Sequence, residues 1–99
     1  MPNSNYESGR RFEYARMKHY REKGCHVMRT AGSHGLFDLI CIDTRGLVIM
    51  VQCKVVSTLA QAIRLLKNFR MNPPIINADF TQVMEVKVRD TGKVESTWL

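Results

Sequence analysis

Apolar positions recur along the chain in short β-rich runs, and each run predicts a strand. Aliphatic and β-branched residues alternate or follow one another within these runs, and turn-forming residues bound them. The predicted strands are 26–30, 37–42, 47–56, 80–89 and 94–99. The segments before the first strand and after the third have a different spacing of apolar residues, which is typical of helices.

The first predicted helix covers residues 10–23. This segment contains neither Gly nor Pro and ends at Gly24, a residue that often follows a helix end. Glu13, Met17 and Tyr20 lie on one stripe of the helix, because residues three and four apart share a face. We expect this stripe to face a sheet.

The second predicted helix begins after Thr58. Thr58 and Gln61 fit a capping box, in which each side chain satisfies a free backbone donor of the other. Leu59, Ile63 and Leu66 are expected to form its apolar stripe. Asn72-Pro73-Pro74 should end the helix.

A short turn fixes the register of the central hairpin. The loop 44–46 ends in Gly and fits a type I turn closed by a bulge, which pairs Asp43 with Leu47. Counting back along both strands places Asp38 opposite Gln52. One face of the hairpin should therefore carry both polar side chains.

The predicted order is αβββαββ, which indicates an α/β protein with a mixed central sheet flanked by helices. Residues 1–99 are expected to form a single domain, because no repeat, linker or low-complexity tract divides them. Apolar residues make up 44% of the chain and charged residues 24%, which are ordinary values for a globular protein.

Charge and targeting signals narrow the class of function. The formal net charge of +6 suggests a polyanionic partner. No apolar run is long enough to cross a bilayer, and residues 1–11 lack the apolar core of a signal peptide, so we expect a cytoplasmic protein without a membrane partner. Cys25, Cys41 and Cys53 have no metal-ligand spacing and are expected to be reduced thiols.

Three polar side chains converge on one face of the hairpin, since Lys54 follows Gln52 by two residues. Opposed Cβ atoms on such a face lie about 5 Å apart. Asp38, with Glu13 or the backbone carbonyl of Cys53, could hold Mg²⁺, which takes oxygen ligands. Lys54 could stabilise the charge that grows on a phosphate during hydrolysis.

The order Glu13, then Phe37-Asp38, then Gln52-Cys53-Lys54 resembles the PD-(D/E)xK nuclease superfamily, whose core is αβββαβ. Within it, the stretch GRRFEYARMKHYREKGCHVMRTAGSHGLFDLICI is similar to archaeal Holliday junction resolvases. The resemblance covers roughly residues 6–70. It implies a restriction-endonuclease-like fold and a metal-dependent DNA endonuclease.

The resemblance also implies roles for individual residues. Glu13, Asp38 and Gln52 would bind the metal, and Lys54 would be catalytic. Arg11 and Arg29 would contact phosphate, and Ser33 would lie in a loop at the scissile site. Other residues that could contact DNA are Arg10, His34, Arg64 and Lys67.

Two positions depart from the family pattern. Phe37 stands where the superfamily name has Pro, and Gln52 replaces the usual Glu. An amide oxygen can still ligate a metal, but the site has one negative charge fewer and should hold Mg²⁺ more weakly. The QxK arrangement resembles that of Mrr-like restriction nucleases in the same superfamily.

Each candidate also has a structural interpretation. Glu13 would then pair with Arg16 or Arg10 on a solvated helix face, and Ser33 would cap a turn. His34 would be an inert surface residue. Arg64 and Lys67 would belong to a solvated face.

Three functions are therefore open. The leading hypothesis is a Mg²⁺-dependent resolvase of four-way DNA junctions, with Mn²⁺ as a substitute. Symmetric cutting of a two-fold junction implies a C2 homodimer, for which Phe69, Met71 and Ile75 are candidate contacts if exposed. The alternatives are a restriction-like or flap and repair nuclease of the same fold, and a structure-specific DNA-binding module in which catalysis is weakened.

Overall fold

The computed structural model of the protein describes residues 4–30 and 36–99. Within these ranges the chain forms two helices and one five-stranded sheet, in the predicted order αβββαββ. The elements are α1 Ser4–Glu22, β1 His26–Arg29, β2 Leu39–Ile42, β3 Val48–Val56, α2 Leu59–Met71, β4 Thr81–Val88 and β5 Val94–Trp98. The α/β class with a mixed sheet is confirmed.

The strands lie side by side in chain order. Pairing is antiparallel throughout except between β3 and β4, which are parallel because α2 connects them across one face of the sheet. No described helix is long and apolar enough to span a membrane.

The hairpin between β2 and β3 has the predicted turn. Gly46 has a φ of +85° and donates its N–H to the Asp43 carbonyl, and Asp43 pairs with Leu47. The following pairs keep this register as far as Leu39 and Val51. The predicted turn and its register are therefore confirmed over the length of β2.

The last predicted pair of the hairpin is wrong. Asp38 does not pair with Gln52 in the ladder; its backbone N–H donates to the Val51 carbonyl, 2.8 Å away. Strand β2 begins only at Leu39, one residue after Asp38. The Asp38 side chain is therefore free to reach along β3.

Helix α1 covers one face of the sheet. Met17 and Tyr20 are buried as predicted, against Leu39, Val51 and other residues of the central strands. The helix begins at Ser4 rather than Arg10, and it ends as expected before Gly24, whose φ is +91°.

Helix α2 covers the opposite face. The capping box of Thr58 and Gln61 is present. The predicted stripe is wrong, because Leu59 and Ile63 are 45% and 56% exposed. Ala62 and Phe69 are buried instead, with Leu65 and Leu66 partly buried beside them.

The burial of Phe69 removes it from the candidate dimer contacts, while Met71 is exposed and Ile75 is half-buried. The candidate site lies at the carboxyl end of β3, where both helices contribute lining residues.

Candidate functional site

Asp38 is held by the backbone of β3. Its Oδ2 accepts the N–H of Cys53 at 2.8 Å, where β2 has already ended and no further strand residue satisfies that donor. Within a strand, the N–H and C=O of one residue point to the same side, and those of the next residue point to the opposite side. The Cys53 carbonyl therefore faces the same side as the Cys53 N–H. A carboxylate and a backbone carbonyl therefore lie at the end of the ladder.

A cavity of about 660 Å³ opens beside Asp38, at the carboxyl end of β3. Its lining combines residues of both helices with the end of the sheet. The described lining residues are Gly9, Glu13, Asp38, Cys53, Lys54, Val55, Val56, Ser57, Gln61, Arg64, Leu65 and Arg89. We call this space the central cavity.

The central cavity brings together two carboxylates and three cations. Glu13 comes from α1, Asp38 precedes β2, Lys54 lies on β3, Arg64 on α2, and Arg89 directly follows β4. An opening lined by acids beside basic groups can accept a phosphate and a cation at once. This is the combination that phosphodiester hydrolysis requires.

Glu13 is not placed as its structural interpretation proposed. It pairs with neither Arg16 nor Arg10; its Oε1 accepts a hydrogen bond from Arg29 Nε at 3.1 Å. Both side chains are partly exposed. Arg29, expected to contact phosphate, is thus shared between Glu13 and the ring of Tyr14, whose centroid lies 5.4 Å from the guanidinium carbon.

Gln52 is half-buried and pairs with Met84 of β4. The alternation along β3 directs both Gln52 and Lys54 to the α2 face of the sheet. Glu13, Asp38 and Lys54 line the central cavity, whereas Gln52 is not among its described lining residues.

Cys53 contributes through its backbone. Burial raises the pKa of its thiol, and the carboxylate of Asp38 raises it further, because a second negative charge nearby would be unfavourable. The thiol therefore stays protonated near neutral pH. In the described part of the chain, no three His, Cys, Asp or Glu side chains are grouped so as to hold a metal ion.

The residues present can nonetheless accommodate a hydrated Mg²⁺ ion. One carboxylate and one carbonyl suffice for an ion that keeps most of its waters and binds substrate phosphate. Asp38 and the Cys53 carbonyl meet that requirement. Glu13 forms an ion pair with Arg29, so it could bind the Mg²⁺ ion only if its carboxylate contacted Arg29 and the ion together.

The remaining DNA-binding candidates are dispersed. Arg10 is exposed with its guanidinium carbon 5.9 Å from the Tyr14 ring centroid, and its hydrogen bond to the Tyr14 hydroxyl lowers the pKa of that tyrosine. Arg11 is exposed in the first half of α1, and Lys67 is exposed on α2; neither is a described lining residue of the central cavity. Ser33 and His34 lie outside the described residues.

Two residues near the site were not predicted from the sequence. Arg89 lines the central cavity. The sequence feature that could have identified it is its position at the end of the predicted strand 80–89, whose apolar residues alternate. Glu85 is 3% exposed and forms a bidentate ion pair with Arg16, at 2.9 and 2.7 Å. A glutamate between Met84 and Val86 in an apolar run was the signal for a buried charge.

Comparison with known proteins adds no family assignment. No model of a known protein family matches the chain, and no curated protein matches it significantly.

Proposed function

We propose that this protein is a Mg²⁺-dependent DNA endonuclease with a restriction-endonuclease-like fold. The observation that carries the proposal is the central cavity, where Asp38 and Glu13 lie beside Lys54, Arg64 and Arg89. The element order αβββαββ supports it, since it contains the αβββαβ core of the nucleases that the sequence resembles.

The chain's own residues would divide the work of hydrolysis. Asp38 and the Cys53 carbonyl would hold the ion, which when bound supplies an activated water and charge stabilisation. Lys54, exposed at the cavity, would stabilise negative charge on the scissile phosphate. Arg64 and Arg89 would orient the strand by neutralising its backbone charge.

The proposed substrate is a four-way junction, cut by a C2 homodimer. A two-fold junction presents two equivalent strands, so symmetric cutting requires two active sites related by a two-fold axis. The net charge of +6 favours a nucleic-acid partner. The proposed place of action is cytoplasmic, at the nucleoid.

The decisive experiment is cleavage of a junction, a flap and a linear duplex by the wild type, Asp38→Asn and Lys54→Met, in Mg²⁺ and in Mn²⁺. Asp38→Asn keeps an oxygen acceptor for the Cys53 N–H, so it should fold normally yet lose cleavage at least about a hundredfold. The matched control is Lys18→Met, because Lys18 is 79% exposed and lies on α1 outside the cavity lining.

Equal cutting of all three substrates would contradict the junction specificity and leave a more general nuclease. Activity in Asp38→Asn equal to that of the wild type would contradict the assigned active site.

A second candidate function is a DNA-binding module with weakened catalysis. Gln52 favours it, because an uncharged amide stands where the resembled nucleases have a carboxylate. Tight junction binding by the wild type without cleavage in either metal would support this alternative. Cleavage by Gln52→Glu alone would then identify Gln52 as the cause.

A further inference from the structure

A second, smaller cavity of about 240 Å³ lies next to the central cavity. It opens between the first half of α1 and the ends of β3 and β4, and the two cavities share Val55 and Arg89 as lining residues. The other described residues that line it are Ser8, Arg11, Phe12, Ala15 and Lys87. We call it the basic cavity.

The charged residues that line the basic cavity are all positive. Arg11, Lys87 and Arg89 line it, and no carboxylate is among its described lining residues. Arg11 and Lys87 form no ion pair with any residue in the ranges 4–30 and 36–99. Like charges grouped in this way repel one another, and an anion placed between Arg11 and Lys87 would relieve the repulsion.

The sheet fixes the position of two of these cations. Val86 and Val88 are fully buried among the residues that pack with α2. Alternation along β4 therefore directs Lys87 to the α1 face, where it pairs with Val55 of β3. The backbone N–H of Arg89 donates to the Val56 carbonyl, which keeps Arg89 beside β3 at the boundary of the two cavities.

Helix α1 supplies the third cation. Phe12 is 4% exposed and fixes this part of the helix on the sheet, and Arg11 precedes it at the surface. Arg11 thus approaches Lys87 and Arg89 from the opposite wall of the basic cavity. Arg11 comes from α1 and Lys87 from β4, and Arg89 directly follows β4.

The volume of the basic cavity limits which anionic ligands fit into it. Pockets that enclose drug-sized molecules usually measure about 300–1,000 Å³. The basic cavity is smaller, so a phosphate group with some water fits it better than a whole nucleotide.

We infer that the basic cavity binds an internal backbone phosphate of the DNA strand whose scissile phosphate enters the central cavity. This inference rests on the proposed function. Arg89 lines both cavities and would contact the strand between the two phosphates. The basic cavity would therefore set which phosphodiester bond of the strand reaches Asp38 and Lys54.

The first test measures junction binding in Ca²⁺ over a range of salt concentrations. Lys87→Gln and Arg11→Gln should each weaken binding about tenfold, because each removes one charged contact to phosphate. Each should also lower the slope of log affinity against log salt by about 1. Lys87→Arg keeps the charge and should retain wild-type binding.

Lys23→Gln is the matched control. Lys23 is exposed beyond the other end of α1 and lines neither cavity. If Lys87→Gln binds junction with the same affinity and salt slope as Lys23→Gln, the inference is overturned.

The second test replaces single phosphates of the cut strand by neutral methylphosphonates. One internal position near the cut should weaken wild-type binding about tenfold and leave Lys87→Gln unaffected, because the variant has already lost that contact. Equal losses in both proteins at every position would contradict the inference. Dependence on a terminal 5′-phosphate, tested with 5′-hydroxyl junctions, would also contradict it.

The two proposals can fail separately. Binding in Ca²⁺ is measured without cleavage, so a wild type that cuts nothing would contradict the nuclease function while leaving the basic cavity testable. A wild type that cuts normally, together with a Lys87→Gln variant that behaves like Lys23→Gln, would contradict the basic cavity alone.

Discussion

Two acid–arginine pairs involve neighbouring turns of α1 and differ in their surroundings. Arg16 and Glu85 form two short hydrogen bonds, and the Glu85 side chain is only 3% exposed. Glu13 and Arg29 form one bond of 3.1 Å, with side chains 18% and 30% exposed. The first we call the inner pair and the second the outer pair.

The inner and outer pairs differ in how far their charges are removed from water. The inner pair lies under the helix, where both charges have lost water and depend on each other. The outer pair is partly exposed, and its Glu13 lines the central cavity. Breaking the same type of ion pair should therefore affect stability at the inner pair and, under the proposed function, activity at the outer pair.

The largest effect is expected from breaking the inner pair. Glu85→Leu leaves the Arg16 charge without its partner and should lower the free energy of unfolding by about 3–5 kcal/mol. Urea denaturation measures the loss. The double variant Arg16→Met with Glu85→Leu should recover most of it, and a double variant as unstable as the single one would contradict this account.

The next largest effect is the pH dependence of stability that arises from the buried thiol of Cys41. Burial raises the pKa of the Cys41 thiol to about 12, from an ordinary value of 9.0. The folded state then favours the neutral thiol, so this contribution to stability is complete below pH 9 and is lost as the pH rises towards 12. By pH 10.5 the loss should be about 1–2 kcal/mol.

Urea denaturation between pH 8 and 10.5 isolates this contribution when the wild type is compared with Cys41→Val. The variant should lose less stability over that range, because it has no thiol to ionise. Parallel curves for the two proteins would show that Cys41 does not contribute.

Breaking the outer pair should affect function more than stability. Glu13→Gln should cost less than about 1 kcal/mol, as is usual for partly exposed pairs. Cleavage should fall about tenfold, since the variant removes a negative charge from the central cavity. A stability loss as large as that of Glu85→Leu would remove the distinction between the two pairs.

The smallest effect is expected at the surface of α1. Lys18 and Glu22 lie 4.0 Å apart with side chains 79% and 66% exposed. Glu22→Gln should change the free energy of unfolding by less than about 0.5 kcal/mol and leave cleavage unchanged. This variant provides the baseline for the other three, and a larger loss would mean that exposure does not rank these pairs.

Much of the fold could be predicted because its signals are local. Gly24, the turn at 44–46 and the capping box of Thr58 each depend on a few neighbouring residues, and all three are present in the structure. The stripe of α2 was mispredicted because Leu59 and Ile63 fit a helical period as well as Ala62 and Phe69 do. Only packing against β4 selects the buried set.

The candidate site was less predictable because it depends on distant contacts. The bond from Cys53 to Asp38 forms only because β2 ends early, and no local pattern marks that end. The partners of Glu13 and Arg16 lie on β1 and β4, and helical spacing alone could not identify them. The sequence placed Lys54 beside Gln52 on one face of β3 and Asp38 near both, but it could not show that Asp38 and Lys54 line a cavity whose described lining omits Gln52.

The parallel pairing of β3 with β4 has a consequence for how the protein could diversify. Both strands end on the same side of the sheet, so the segments that follow them, Ser57 and residues 89–93, lie together outside the strands. Under the proposed function these segments would face the DNA, and insertions there would reshape that surface while the strand pairing is preserved. Substrate range could therefore evolve in this protein at little cost to folding.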